Sequence, residues 1–233
     1  MIREIVFDTE TTGLDPLTGD RVVEIGAVEL INHLPSGNHY HVYLNPDRSM
    51  PAEAFAIHGL GDDFLRDKPR FHEVAAEFLR FVGDEARLIA HNADFDIKFL
   101  NAELQRAGMP ALKPGRSLDT AAMARRKFPG SPASLDALCR RFGVDNSGRD
   151  LHGALLDSQL LAEVYLELIG GRQPTLVLDA AAQSTPADGV VLKMQPRRQR
   201  PTPLPPRVTD AEQDAHAAFV AAMGEKSLWS RFL

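Results

Sequence analysis

The sequence predicts an α/β domain, a mixed sheet flanked by helices, followed by a linker and a short helical tail. Three observations predict it. The first 44 residues carry three β-rich runs with turn residues between them. From about residue 71 to 168, short apolar runs alternate with segments of helical spacing. After Gly170-Gly171 the composition changes abruptly. Hairpin strands followed by strands interleaved with helices is the pattern of a mixed sheet packed by helices.

Taken in order, Ile2 to Asp8 is the first β-rich run. Arg21 to Ile31 is the second, with Val22, Val23, Ile25, Val28, Leu30 and Ile31. Tyr40 to Leu44 is the third, and Pro35, Ser36 and Gly37 punctuate the chain before it, as a hairpin requires. Phe71, Val74, Ala75, Phe78, Leu79 and Val82 recur at helical spacing. Leu88-Ile89-Ala90 reads as a brief buried strand. A helix from about Ala93 to Ala107 follows, ended by Gly108 and Pro110. Ser117 to Asp119 is a last short strand, Leu135 to Phe142 a helix. Leu156, Leu160, Leu161, Val164 and Leu168 mark the final helix of the domain.

This assigns residues 1–171 to one domain. Residues 172–208 form a linker rich in Ala, Pro, Gln, Ser and Thr, with Lys193, Arg197, Arg198 and Arg200 as a basic cluster. Pro201, Pro203, Pro205 and Pro206 resist a helix. Residues 209–233 resume a helical pattern in Ala211, Ala215, Ala218, Phe219, Ala222 and Met223 and end on LWSRFL.

Composition narrows the function. The 233 residues carry a formal net charge of −6, so bulk positive charge is not how this chain would hold a nucleic acid. An acidic phosphate-binding site works instead through bound cations. The single cysteine, Cys139, excludes an intramolecular disulfide and a cysteine-rich zinc site, and its apolar neighbours make it a small buried hydrophobe. The acidic N-terminus lacks a signal peptide's apolar region, and no apolar run is long enough for a bilayer. These features describe a soluble, cytoplasmic protein.

Three segments carry chemistry. In VFDTETTG, Asp8 and Glu10 lie two apart on a strand, so their carboxylates project side by side. Adjacent carboxylates repel unless a cation lies between them, and oxygen ligands suit Mg²⁺ or Mn²⁺. Thr11, Thr12 and Gly13 give a small polar turn that lets backbone approach a nucleotide. In HNADFDIKFL, Asp94 and Asp96 compete for one site position, and periodicity alone does not choose between them; an aspartate here also serves as a helix cap or dipole partner. In HGALLDSQLLAEVY, His152 and Asp157 are too far apart to share a helical face, which puts His152 on the loop or first turn and Asp157 inside the helix.

FDTETTG, HNADFD and HGALLD, in that order, resemble the three motifs of the DnaQ-like (DEDDh) 3′–5′ exonuclease family. The similarity runs from about Met1 to Gly171 and is closest to the members that proofread for bacterial replicative polymerases. It implies a ribonuclease H-like fold with a five-stranded mixed sheet. It implies two divalent ions, Mg²⁺ or Mn²⁺, about 4 Å apart. It implies that Asp8, Glu10, Asp96 and Asp157 are the ligands, which selects Asp96 over Asp94, and that His152 is the general base for the attacking water. Asp8 would bridge both ions, Glu10 and Asp157 would complete one site, and Asp96 would hold the other. Histidine suits the role because its charge changes near neutral pH. The products would be nucleoside monophosphates cut from a single-stranded DNA 3′ end.

Further positions are weighed against plainer readings. Ile57 and His58, in AIHGL, resemble the family segment lining the terminal-nucleotide pocket, although His58 also reads as a surface histidine. Thr11 is a hydrogen-bond partner for that nucleotide. Phe95 stacks on a base or fills the core, and Glu24 belongs to a polar strand face. Gln173, Leu176 and Leu178, in QPTLVL, resemble a short peptide that binds the sliding clamp, or else pack on their own domain. Phe219, Trp229 and Phe232 read as a docking surface, since so short a helix cannot bury them alone; the resemblance implies that the partner is the catalytic (alpha) subunit of DNA polymerase III. Some relatives bind a further small accessory subunit. Two other readings compete: an RNA-trimming exonuclease of the same superfamily, and a non-catalytic scaffold, which predicts loss of a carboxylate or of the histidine.

Overall fold

The computed structural model describes residues 1–148, 151–171 and 208–223. The chain divides into two units, residues 1–177 and 178–233. In the first unit, β-branched and aromatic residues fill the central strand β1 (Arg3–Thr11). β2 (Val22–Ile31) pairs antiparallel with it, and β3 (Leu34–Tyr43) antiparallel with β2. β4 (Arg87–Ala90) and β5 (Ser117–Asp119) add in parallel on the other side, giving the five-stranded order β3-β2-β1-β4-β5. This is the mixed sheet that the sequence predicts.

Helices cover both faces. α1 (Ala52–His58), α2 (Asp62–Leu65) and α3 (Phe71–Val82) lie between β3 and β4, and α4 (Ala93–Arg106) follows β4. α5 (Thr120–Lys127), α6 (Leu135–Phe142) and α7 (Ala154–Leu168) follow β5. Strand alternation sorts the core into two clusters. Ile5, Phe7, Leu88 and Ala90 pack against residues of α3 and α4, such as Phe78 and Phe99. Val6 and Ile89 point to the opposite face, against Leu138 of α6 and Leu161 and Val164 of α7. Cys139 is fully buried in this second cluster, as its apolar neighbours predict.

The hairpin differs from the sequence reading. Its turn falls at Asn32-His33, whose φ values of 49° and 66° meet the left-handed requirement of a tight two-residue turn. Pro35, Ser36 and Gly37 instead belong to β3, which begins six residues earlier than expected, at Leu34 rather than Tyr40. β3 is an edge strand, where a proline's missing N–H costs little. The sequence reading also leaves out α1, α2 and α5. α1 and α2, with 7 and 4 residues, are too short for helical periodicity to declare itself, and α5 buries only Thr120, Ala121 and Ala124, which mark no large apolar stripe.

In the second unit, α8 (Asp210–Ala222) starts at a capping box of Thr209 and Glu212. Phe219 is 65% exposed, and Val220 is the buried residue of this helix. Among the described residues no helix is long and apolar enough to cross a membrane.

Candidate active site

Asp8 and Glu10 extend the row begun by Val6, on the sheet face covered by α7. Glu10 is buried and Asp8 half-buried. What brings α7 to them is a missing side chain. Gly26 of β2 pairs with Asp8 across the ladder, and a Cβ on it would lie 2.2 Å from the Ala154 carbonyl carbon and the Leu155 nitrogen. The first turn of α7 therefore rests directly on β2. Ser158 ties it there, its hydroxyl lying 2.8 Å from the Gly26 carbonyl oxygen and 2.6 Å from that of Ala154. Asp157, one residue before Ser158, is held 2% exposed beside the end of β1.

His152 precedes α7, on the loop, as the spacing predicts. Its backbone N–H donates to the Ile57 carbonyl at the end of α1 (3.2 Å), and its Nδ1 lies 3.4 Å from Asp157 Oδ2. The Leu151 side chain fills the space over Gly59, where a Cβ would lie 2.7 Å from Leu151 Cδ1. One ligand atom each from Glu10, His152 and Asp157 fall within 4.8 Å of one another. Two buried carboxylates and an imidazole at that spacing suit a divalent cation. Asp8 and Asp96 do not join this cluster among the described residues.

Asp96 approaches from the other face of the sheet. It lies in the first turn of α4, 3% exposed, while Asp94 points to solvent. Thr9, between Asp8 and Glu10, faces α4 and donates its hydroxyl to Asp96 Oδ1 (2.7 Å). Burial pushes the Asp96 carboxyl up to about 7, and the Thr9 hydrogen bond pulls the other way.

His58 is buried, 5% exposed, at the end of α1. Its Nδ1 accepts the Leu60 N–H (3.0 Å), which leaves the proton of the neutral ring on Nε2. Burial holds its pKa below the usual value, the Thr11 backbone opposes that shift, and His152 adds to it. Its surface reading is thereby corrected: the α1–Gly59 turn packs inward. Ile57 is exposed, and the Thr11 hydroxyl donates to the Gly13 carbonyl (2.6 Å). Phe95 packs against Phe99, ring centroids 4.9 Å apart and tilted by 45°, beside the first core cluster. Glu24 is buried rather than on a polar face, with its carboxylate 2.8 Å from His41 Nε2. Gln173, Leu176, Leu178, Trp229 and Phe232 lie outside the described residues.

Sequence reasoning missed Thr9, Gly26 and Ser158. Gly26 had a signal, since an isolated glycine inside a strand marks a close backbone approach. A cavity of about 1200 Å³ lies on the hairpin and later turns of α7 and is lined by none of the five candidate catalytic residues.

Residues 5–165 match the family model described as Exonuclease. The DNA polymerase III subunit epsilon of Escherichia coli (strain K12) is 44% identical over 237 residues, covering 97% of each chain. That of Rickettsia felis is 58% identical over 175 residues, covering 74% of this chain and 76% of its own. Among solved structures, Exonuclease X in complex with 5′ overhanging duplex DNA is 30% identical with a TM-score of 0.56, covering 72% of this chain and 91% of that one. Exonuclease I, 19% identical with a TM-score of 0.63 over 72% of this chain and 41% of its own, shares the fold.

Proposed function

We propose, from the premise that the chain belongs to the exonuclease family and within it to the epsilon subunits of DNA polymerase III, that it removes mispaired nucleotides from DNA 3′ ends by hydrolysis assisted by two divalent ions, Mg²⁺ or Mn²⁺. The observation that carries the reading is the convergence of Glu10, His152 and Asp157 at the end of β1.

When bound, the ions would acidify the attacking water and neutralise charge building on the phosphate. In this reading Asp8, Glu10, Asp96 and Asp157 would hold the ions. His152 takes the proton of the attacking water, and its half-exposed ring can pass that proton to solvent. Asp157, at 3.4 Å, orients the ring. Buried His58 offers an Nε2–H to an acceptor on the terminal nucleotide, and Ile57 and Thr11 border the same space. Release of monophosphates from single-stranded DNA, measured with Mg²⁺ or Mn²⁺ and after chelation, tests the reading. A parallel RNA substrate decides against the RNA-trimming alternative if DNA is cut faster. Metal-independent release, or none, would refute the proposal.

The assignment extends to partners. Because the Escherichia coli relative matches over 97% of this chain, the similarity extends beyond the catalytic unit into residues 209–233, which supports docking of this segment, with Phe219, Trp229 and Phe232, on the polymerase alpha subunit. Exposed Phe219 supports it further. Gln173, Leu176 and Leu178 are proposed to bind the sliding clamp as an extended peptide. Titrating the clamp against a Gln173→Ala, Leu176→Ala double variant should show weakened binding; equal affinity would reject the peptide. A small accessory subunit is a further proposed partner, tested by co-purification.

A further inference from the structure

Threonine suits a strand interior on propensity alone. At Thr9 the structure shows more. β4 pairs with β1 only from Glu4 to Val6, so Thr9 lies beyond that ladder, where this edge of β1 meets the first turn of α4. Thr9 is 6% exposed and its hydroxyl donates to Asp96 Oδ1 at 2.7 Å. A carboxylate has about four acceptor sites on two oxygens. With Oδ1 held by Thr9, rotation of the group is restrained and Oδ2 is the oxygen left for a cation. Because Thr9 sits between Asp8 and Glu10 on the same strand, it sets Asp96 in register with both while pointing to the opposite face.

We propose that Thr9 is a positioning residue for the exonuclease reaction: through Asp96 it fixes the ligand that arrives from the far face of the sheet. The proposal rests on the two-ion reading above. Outer partners of metal ligands are worth about 10–100-fold in metal affinity. Calorimetric titration of the full chain with Mn²⁺ alone, without DNA, tests it on wild type, Thr9→Ser, Thr9→Val, Asp96→Asn and the Thr9→Val, Asp96→Asn pair. Thr9→Val should weaken Mn²⁺ binding by about 10–100-fold and lower kcat with KM for the oligonucleotide unchanged. Thr9→Ser, which keeps the hydroxyl, should restore both. On the Asp96→Asn background, Thr9→Val should add no further loss, because its effect passes through Asp96. Thr9→Ala supplies the same comparisons if Thr9→Val does not fold. Wild-type Mn²⁺ affinity in Thr9→Val, equal damage in Thr9→Ser, or a full additional loss in the pair would overturn the assignment while leaving the metal-dependent reaction standing. Absence of Mn²⁺ binding in wild type would overturn both.

Discussion

Gly26 and Ala154 touch backbone to backbone: the space where a Cβ on Gly26 would sit is 2.2 Å from the Ala154 carbonyl carbon. Since Gly26 is also the ladder partner of Asp8, the contact sets the height of α7 over the candidate ligands. Gly26→Ala must push the first turn of α7 outward, and Asp157 with it. Overpacking of this kind costs about 1–3 kcal/mol. The variant should lose at least about 100-fold in exonuclease rate, as misplacement near 1 Å does elsewhere. A wild-type rate in a folded Gly26→Ala protein would mean that α7 height does not set the site.

His152 sits with Glu10 and Asp157 at ligand spacing, so its role as base has to be separated from a role as ligand. His152→Ala should lower the rate by about 10²–10⁴-fold with Mn²⁺ affinity little changed. A large loss of Mn²⁺ affinity would instead identify His152 as a ligand.

Asp8→Ala and Asp157→Ala should each abolish cleavage while the fold persists. Both remove a negative charge from a group of converging carboxylates, so the metal-free melting temperature should hold or rise. Circular dichroism melts in chelator check this, and near-normal cleavage by Asp8→Ala would rule out the proposed two-ion arrangement.

The pH dependence of metal-free stability follows from Asp96. Burial raises its pKa to about 7, so folding favours its protonated form. That stability is complete below the ordinary carboxylate pKa and is lost as pH rises through about 7. Asp96→Asn keeps an acceptor for Thr9 and removes the charge. It should therefore raise the metal-free melting temperature more at pH 8 than at pH 5. A gain of about 1 kcal/mol corresponds to ~2–4 °C in a domain of this size. Equal shifts at both pH values would contradict the buried-carboxylate account.

Truncation after Val208 should leave exonuclease activity on single-stranded DNA intact and abolish co-purification with the polymerase alpha subunit. Binding that survives truncation would move the docking surface to another part of the chain.

What the sequence determined by itself was local or periodic. Alternation in β1 put Asp8 and Glu10 on one face, and the spacing from His152 to Asp157 put the histidine on the loop before α7. The order of strands and helices determined the mixed sheet, because each element's apolar face must be buried against another. The tertiary structure decided what depends on contacts between distant residues. Asp96 is buried and Asp94 exposed because α4 docks one face on the sheet, a choice that helical spacing leaves open. Thr9 looked like a strand former until α4 brought Asp96 to it across 87 residues. Glu4, fully buried, accepts a 2.6 Å hydrogen bond from the Tyr165 hydroxyl across 161 residues, and Arg21 reaches the buried Glu103. A charged residue in a strand reads as solvent-facing from its own neighbours. Its burial becomes affordable only when a partner from a remote element satisfies it, and that partner is fixed by packing rather than by local sequence.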